Sequence, residues 1–179
     1  MEENADKLKV KRVPKKITPQ RLKNIALYYL KRFDSSIDNL RQVLRRRVND
    51  CAYYYPEWNK TEAYNWIENL LSDFERYGYL DDRRYAEIKI KNYVMAGKSA
   101  RYIAGKLKQK GIAENSIRQL LEEQSYDPLE TALSFARKKR IGPFRAPDQK
   151  DEFKQKDLGI LLRAGFDYDI VLQVLAYEE

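Results

Sequence analysis

Two glycines, Gly111 and Gly165, stand in the same apolar ladder. Leu107 and Leu161 precede them by four residues. Ile117, Leu120 and Leu121 follow the first glycine, and Val171, Val174 and Leu175 follow the second at the same offsets. An apolar residue, a glycine four positions on, and a new helical stripe beyond it predict helix, left-handed stop, helix. Two copies in a chain of 179 residues make an internal repeat. A helical repeat builds a surface along which partners lie, and makes an enclosed enzyme pocket less expected.

The rest of the chain divides accordingly. Residues 1–17 are polar, basic and aperiodic, a tail expected to be disordered. The first repeat, residues 18–79, opens at Thr18-Pro19 as cap and first helical residue. Its stripes are Leu22, Ile25, Ala26, Tyr29 and Phe33; then Ile37, Leu40 and Leu44 after a Ser35 or Ser36 cap; then Ile67, Leu70, Leu71 and Phe74, ending at Gly78. The stretch Cys51–Lys60, interrupted by Pro56, is expected to be a loop. The second repeat, residues 80–126, starts at the acids Asp81-Asp82, turns at Gly97 and is capped again at Ser99. The third, residues 127–179, opens at Asp127-Pro128, turns through Ile141–Asp148, and has Asp167 before its last helix as a cap. The expected fold is therefore all-α: three tandem three-helix repeats, elongated and curved.

Composition narrows the chemistry. There is no histidine and one cysteine, Cys51, so the commonest general base, the commonest metal ligand and an internal disulfide are all missing. A reducing, cytoplasmic setting is expected, with no membrane span. The paired acids Asp81-Asp82 and Asp167/Asp169 fall at helix starts, where capping explains them, and no phosphate-cradling glycine loop is present. Neither an enzyme nor a bound cofactor or metal is expected.

The net charge of +8 is unevenly spread. Residues 1–32 carry ten Lys/Arg against three acids, and residues 81–126 ten against six. Charge alone is equally compatible with a polyanionic partner and with a helical surface that simply wears solvated Lys and Arg. A helix-turn-helix reading fails, because the third helices are the acidic ones: residues 61–77 hold Arg76 alone against four acids, and residues 167–177 hold no base. Basic side chains cluster on first and second helices instead: Arg45, Arg46, Arg47; Lys89, Lys91; Lys98, Arg101, Lys106, Lys108, Lys110; and Arg137, Lys138, Lys139, Arg140. Helical spacing puts Lys98, Arg101 and Lys108 on one side, with Lys106 and Lys110 flanking the other. This is a backbone- or acid-binding surface without a base-reading device. Tyr53-Tyr54-Tyr55 with Trp58 allow base stacking, as in single-strand binders. The favoured expectation is that they pack beneath the long loop of the first repeat and bridge to the second.

Several stretches resemble the RecX family, modulators of the bacterial recombinase RecA. They are Gly78–Ala86 (GYLDDRRYA), Gly97-Lys98-Ser99 through Leu107, Lys110, Gly111 and Ile112, then Arg137–Arg145 (RKKRIGPFR), Lys156-Asp157-Leu158 and Arg163-Ala164-Gly165-Phe166. The resemblance runs over roughly residues 20–177. It departs in the first repeat, where Arg45-Arg46-Arg47 replace a lysine-glycine stop and a tyrosine-rich insertion follows. It implies a cofactor-free monomer that lies in the groove of the RecA–DNA filament, restrains filament growth, strand exchange, ATP hydrolysis and coprotease activity, and so acts in recombination, DNA repair and the SOS response. Arg145 joins the candidate contact residues on this ground. Weak, sequence-indifferent binding to single-stranded DNA is expected beside it. The alternatives are a general single-strand binder using the tail and tyrosines, or a helical adaptor for an unrelated acidic protein.

Overall fold

The computed structural model describes residues 14–178; most of the basic tail lies outside them. The described residues form nine α-helices: α1 Pro19–Leu30, α2 Ile37–Tyr54, α3 Lys60–Arg76, α4 Asp82–Met95, α5 Ala100–Lys108, α6 Glu114–Glu123, α7 Pro128–Lys139, α8 Lys150–Arg163 and α9 Tyr168–Leu175. Among the described residues there is no strand. The all-α, tandem three-helix organisation is observed. The chain forms two compact units. One holds the residues up to Phe33 and Asn39–Leu80; the other holds Asp34–Asp38 and everything from Asp81.

In the first unit, Thr18 caps α1 by accepting from the Arg21 amide at 3.2 Å, and Asn59 caps α3 by accepting from Thr61 at 3.0 Å. Leu22, Ala26, Leu40, Leu44, Val48, Ile67, Leu71 and Phe74 form the core. One expectation is corrected here. Cys51–Tyr54 is not loop but the last turn of α2. Val48 and Cys51 carry the Leu44 stripe onward at helical spacing and are fully buried. Pro56 restrains only the residue before it, so the helix runs on to Tyr54. Arg41 and Arg45 both reach Glu68, at 3.0 and 2.9 Å, and tie α2 to α3.

The second unit contains two small cores. One gathers Tyr85, Ala86, Ile90, Ile103, Leu107, Ile112, Ile117 and Leu120; the other Ala132, Ala136, Ile141, Leu161, Phe166, Val171 and Val174. The glycine ladder now has its geometry. Gly111 and Gly165 have φ of +81° and +91°, the left-handed region that a side chain rarely adopts. Beyond them, Ile112 N–H donates back to the Leu107 carbonyl at 3.1 Å, and Phe166 N–H to Leu161 at 3.3 Å. Each leucine four residues before the glycine is therefore both the acceptor and the apolar partner of the residue that closes the stop.

A serine docks on each stop. Ser99 caps α5 by accepting from Tyr102 N–H at 3.2 Å, and its hydroxyl donates to the Ala164 carbonyl at 2.7 Å, one residue before Gly165. Ser36, just before α2, donates to the Lys110 carbonyl at 2.6 Å, one residue before Gly111. The next amide is satisfied the same way: Ala100 N–H donates to the Tyr126 hydroxyl at 3.0 Å, Ile37 N–H to Asp82 Oδ1 at 2.7 Å. A Cβ on Gly165 would stand 2.7 Å from Ser99 Oγ, and one on Gly111 would collide with the Asp38 side chain. The glycines thus serve both the turn and the close approach. Asp82, expected as a cap, is this bridging acceptor, while Asp81 is the cap of α4 through Arg84 N–H at 2.9 Å. Asp167 is likewise corrected: its carboxylate makes no cap bond and instead accepts from Arg101 at 3.1 Å.

Between α7 and α8 the chain makes single turns of 3-10 helix at Gly142–Phe144 and Pro147–Gln149. Asp157, on α8 and 1% exposed, pins the first of them. It accepts from Gly142 N–H at 2.8 Å and, through both oxygens, from Arg145 at 2.9 and 2.6 Å. Burial pushes the Asp157 carboxyl up, but the hydrogen bonds of Arg145 and Gly142 and the arginine's charge outweigh it. The group sits below the ordinary carboxylate range.

Two predictions follow from this packing. Ser99→Ala should cost about 1–3 kcal/mol through a lost cap and an unsatisfied carbonyl. Gly165→Ala should cost more. The double variant should lose less than the two costs combined, because removing the hydroxyl makes room for the new methyl; strict additivity in urea unfolding would refute the joint. For Asp157, the folded pKa is depressed. Its stabilisation is present at neutral pH and is lost as pH falls below about 4. Arg145→Ala leaves a buried, unpaired carboxylate and should cost about 3–5 kcal/mol at pH 7. The cost should shrink in acid, as read by urea midpoints across pH.

Candidate nucleic-acid interface

Helix geometry decides which of the basic side chains are available. In the first unit, Arg45 is committed to Glu68 and lies over the Tyr64 ring at 5.4 Å, whereas Arg46 and Arg47, on the next positions of α2, are exposed. In the second unit, Lys89 lies over Tyr85 at 5.3 Å and Lys91 is exposed on the far side of α4. Lys110 is half-buried, with its carbonyl in the Ser36 bond.

Around α5 the expected grouping changes. Lys98 and Lys106 fall together: both ammonium groups lie over the Tyr102 ring, at 5.0 and 5.6 Å. Tyr102 in turn meets Tyr93 edge-on at 5.6 Å. Burial, and then Tyr102, push the Tyr93 phenol above its ordinary value. Arg101 and Lys108 lie elsewhere and are neutralised, Arg101 by Asp167 and Lys108 by Glu114 at 2.7 Å. The Lys108 hydrogen bond and charge hold Glu114 below the usual carboxylate range. Among the described residues, Lys98 and Lys106 have no carboxylate partner, and with the ring between them they form an open positive surface beside this helix. The spacing Lys98, Tyr102, Lys106, four residues each, was readable in the sequence, but Tyr102 was not singled out.

In the last repeat, Arg137 lies over Phe144 at 4.7 Å. Lys138 places its ammonium on the Met95 carbonyl, at the end of α4, at 2.6 Å. Lys139 and Arg140 are exposed, and Arg140 ends α7 in the left-handed conformation, φ +55°. Arg145 does not belong to the free basic surface: its guanidinium is spent on Asp157. The tyrosine expectation is corrected too. Tyr53 and Tyr54 are exposed and do not pack beneath the loop, whereas Tyr55 is half-buried and Trp58 meets Trp66 at 6.5 Å. The reason is the longer α2, whose last turn carries Tyr53 outward. Among the described residues, no group of three or more His, Cys, Asp or Glu is placed to hold a metal ion, and no helix is long and apolar enough to cross a membrane.

Comparison with known proteins places these features. Residues 81–121 match the family model described as RecX, second three-helix domain. Regulatory protein RecX of Myxococcus xanthus (strain DK1622) is 37% identical over 165 residues, covering 90% of this chain and 88% of that protein. Regulatory protein RecX of Agrobacterium fabrum is 37% identical over 97 residues, 54% of this chain and 52% of its own. The crystal structure of RecX from Lactobacillus salivarius superposes with a TM-score of 0.67 at 21% identity, over 88% of this chain and 94% of that one, and supports the fold. Full-length similarity to the Myxococcus protein and a matching second repeat together show that the chain belongs to the RecX family of regulatory proteins.

Proposed function

We propose that this chain is a non-catalytic regulator that binds the RecA–DNA nucleoprotein filament and restrains its growth, its strand exchange, and its ATPase and coprotease activities. Family membership supports the partner. The observation that carries the contact is the Lys98–Tyr102–Lys106 cluster, two cations without a carboxylate partner among the described residues, while Arg101 and Lys108 of the same repeat are paired. Lys91, Lys139 and Arg140 extend the free charge. Such a surface attracts phosphates or acidic side chains and has no means of reading bases. Repeats in series join several weak contacts, so an assembled filament is bound more tightly than a free recombinase subunit. The protein acts as a monomer in the cytoplasm and needs no cofactor.

A second reading, general binding of single-stranded nucleic acid, is favoured by the exposure of Tyr53 and by the exposed Arg46 and Arg47 on the same helix. The two separate by experiment. Lys98→Glu with Lys106→Glu should raise the concentration needed to inhibit strand exchange on the order of tenfold at low salt, with less effect at high salt. Arg101→Glu with Lys108→Glu should do less, because each of those cations is already neutralised. Circular dichroism controls for folding. If the lysine pair can be reversed in a folded protein without loss of inhibition, the contact surface is wrong. If inhibition needs no recombinase contact and simply tracks occupancy of single-stranded DNA, the second reading holds instead.

A further inference from the structure

The first unit contains a cationic cavity of about 470 Å³ between the chain entering α1, one face of α1 and the middle of α2. Lys15, Arg21 and Arg47 line it against a single acid, Asp50. None of the three cations forms an ion pair among the described residues. Arg21 is held hard: its Nε is buried and has no hydrogen-bond partner. A guanidinium that is half-buried and uncompensated is costly, and an oxyanion is the group that relieves it. Apolar atoms of Ile17 and Ile25 form part of the wall, and Tyr28, 65% exposed, stands at the edge. Arg21, Ile25 and Tyr28 are spaced so that they share one face of α1.

We infer that this cavity takes a backbone phosphate of single-stranded nucleic acid, with the neighbouring base stacked on Tyr28. Three cations give the phosphodiester its counter-charge; guanidiniums match its oxygens through paired donors. The aromatic edge favours nucleic acid over an acidic peptide, since every base offers a face to stack and a glutamate does not. Lys16 lying over the Tyr55 ring, at 5.3 Å, continues the alternation of cation and aromatic along the same segment. The site goes beyond the filament contact proposed above. It uses other residues in the other unit, and it stands or falls without them.

The test is fluorescence polarisation of the full chain with a fluorescein-labelled oligothymidylate over a salt series. Lys15→Gln with Arg47→Gln, both at exposed positions, should weaken binding about tenfold and lower the salt slope by about 0.7, the value for one lost phosphate contact. Tyr28→Ala should weaken it about fivefold or more. Lys31→Gln with Lys60→Gln, the same charge removed elsewhere in the unit, should have much less effect. Lys98→Glu with Lys106→Glu should leave the Tyr28 and cavity effects in place, whatever it does to strand exchange. Equal losses from the cavity pair and the control pair would overturn the site, reducing it to net charge. So would full binding by Tyr28→Ala together with competition by polyglutamate as strong as by unlabelled oligothymidylate, which would assign the cavity to an acidic protein segment.

Discussion

The fold of the second unit hangs on one small joint: a serine at a helix start whose hydroxyl donates to the carbonyl just before a left-handed glycine. It occurs at Ser36 with Lys110 and at Ser99 with Ala164. Helix ends leave orphan donors and acceptors, and burial makes each of them expensive. Here the orphans of one helix start and one helix stop satisfy each other. The stop must be glycine for two separate reasons, its φ and the absence of room for a Cβ. A cap that works only when another helix end is in place couples local structure to packing. That coupling lets cores as small as these hold a defined arrangement.

The repeats share a plan and differ in what fills it. In the first, Arg41 and Arg45 on α2 close over α3 through Glu68. The third instead buries Asp157 where the second has the core residue Ile103, and uses it to anchor an extra turn through Arg145. The second repeat has no buried carboxylate at the position of Asp157. Its α5 is short and carries Ala100, Ala104 and Gly105 where bulk could have been, and its lysines remain at the surface. The second repeat ties its helices through other pairs, Lys108 with Glu114 and Arg83 with Glu123, while Lys98 and Lys106 gather over the Tyr102 ring.

Much of this was legible from residues alone. Nine helices, their stops and most of their inward faces follow from periodicity and from Thr18, Ser99, Asp127 and the glycines. Three kinds of feature were not. The end of α2 was hidden because Pro56 suggested a break several residues earlier than proline enforces. The second bond of each serine was hidden because its acceptor lies 74 or 65 residues away. The pairing of charges was hidden for the same reason: Asp167 looks like a cap until Arg101, 66 residues back, is placed beside it. Sequence gives the sign of a side chain and its helical face, while availability depends on which carboxylates the fold brings near. That is why the candidate list of basic residues divides into spent members, such as Arg45 and Arg145, and open ones, such as Lys98 and Lys106.

The joint also explains why the pattern stops. Each copy needs a serine and, twelve residues after the equivalent serine in the next repeat, a glycine stop. Twelve residues after Ser36 stands Val48, buried inside the continuous α2, so the first repeat presents no stop to a preceding serine. Twelve residues before Gly165 stands Phe153, within α8, a helix that begins after Gln149 with no side-chain cap. The third repeat therefore presents no serine to a following stop. Both halves of the joint are consumed inside the chain. Loss of the stop in the first repeat has a further result. The helix that would have ended there runs on to Tyr54, and its last turn brings Tyr53 to the surface. Loss of the stop and the exposure of Tyr53 are therefore the same change in the chain.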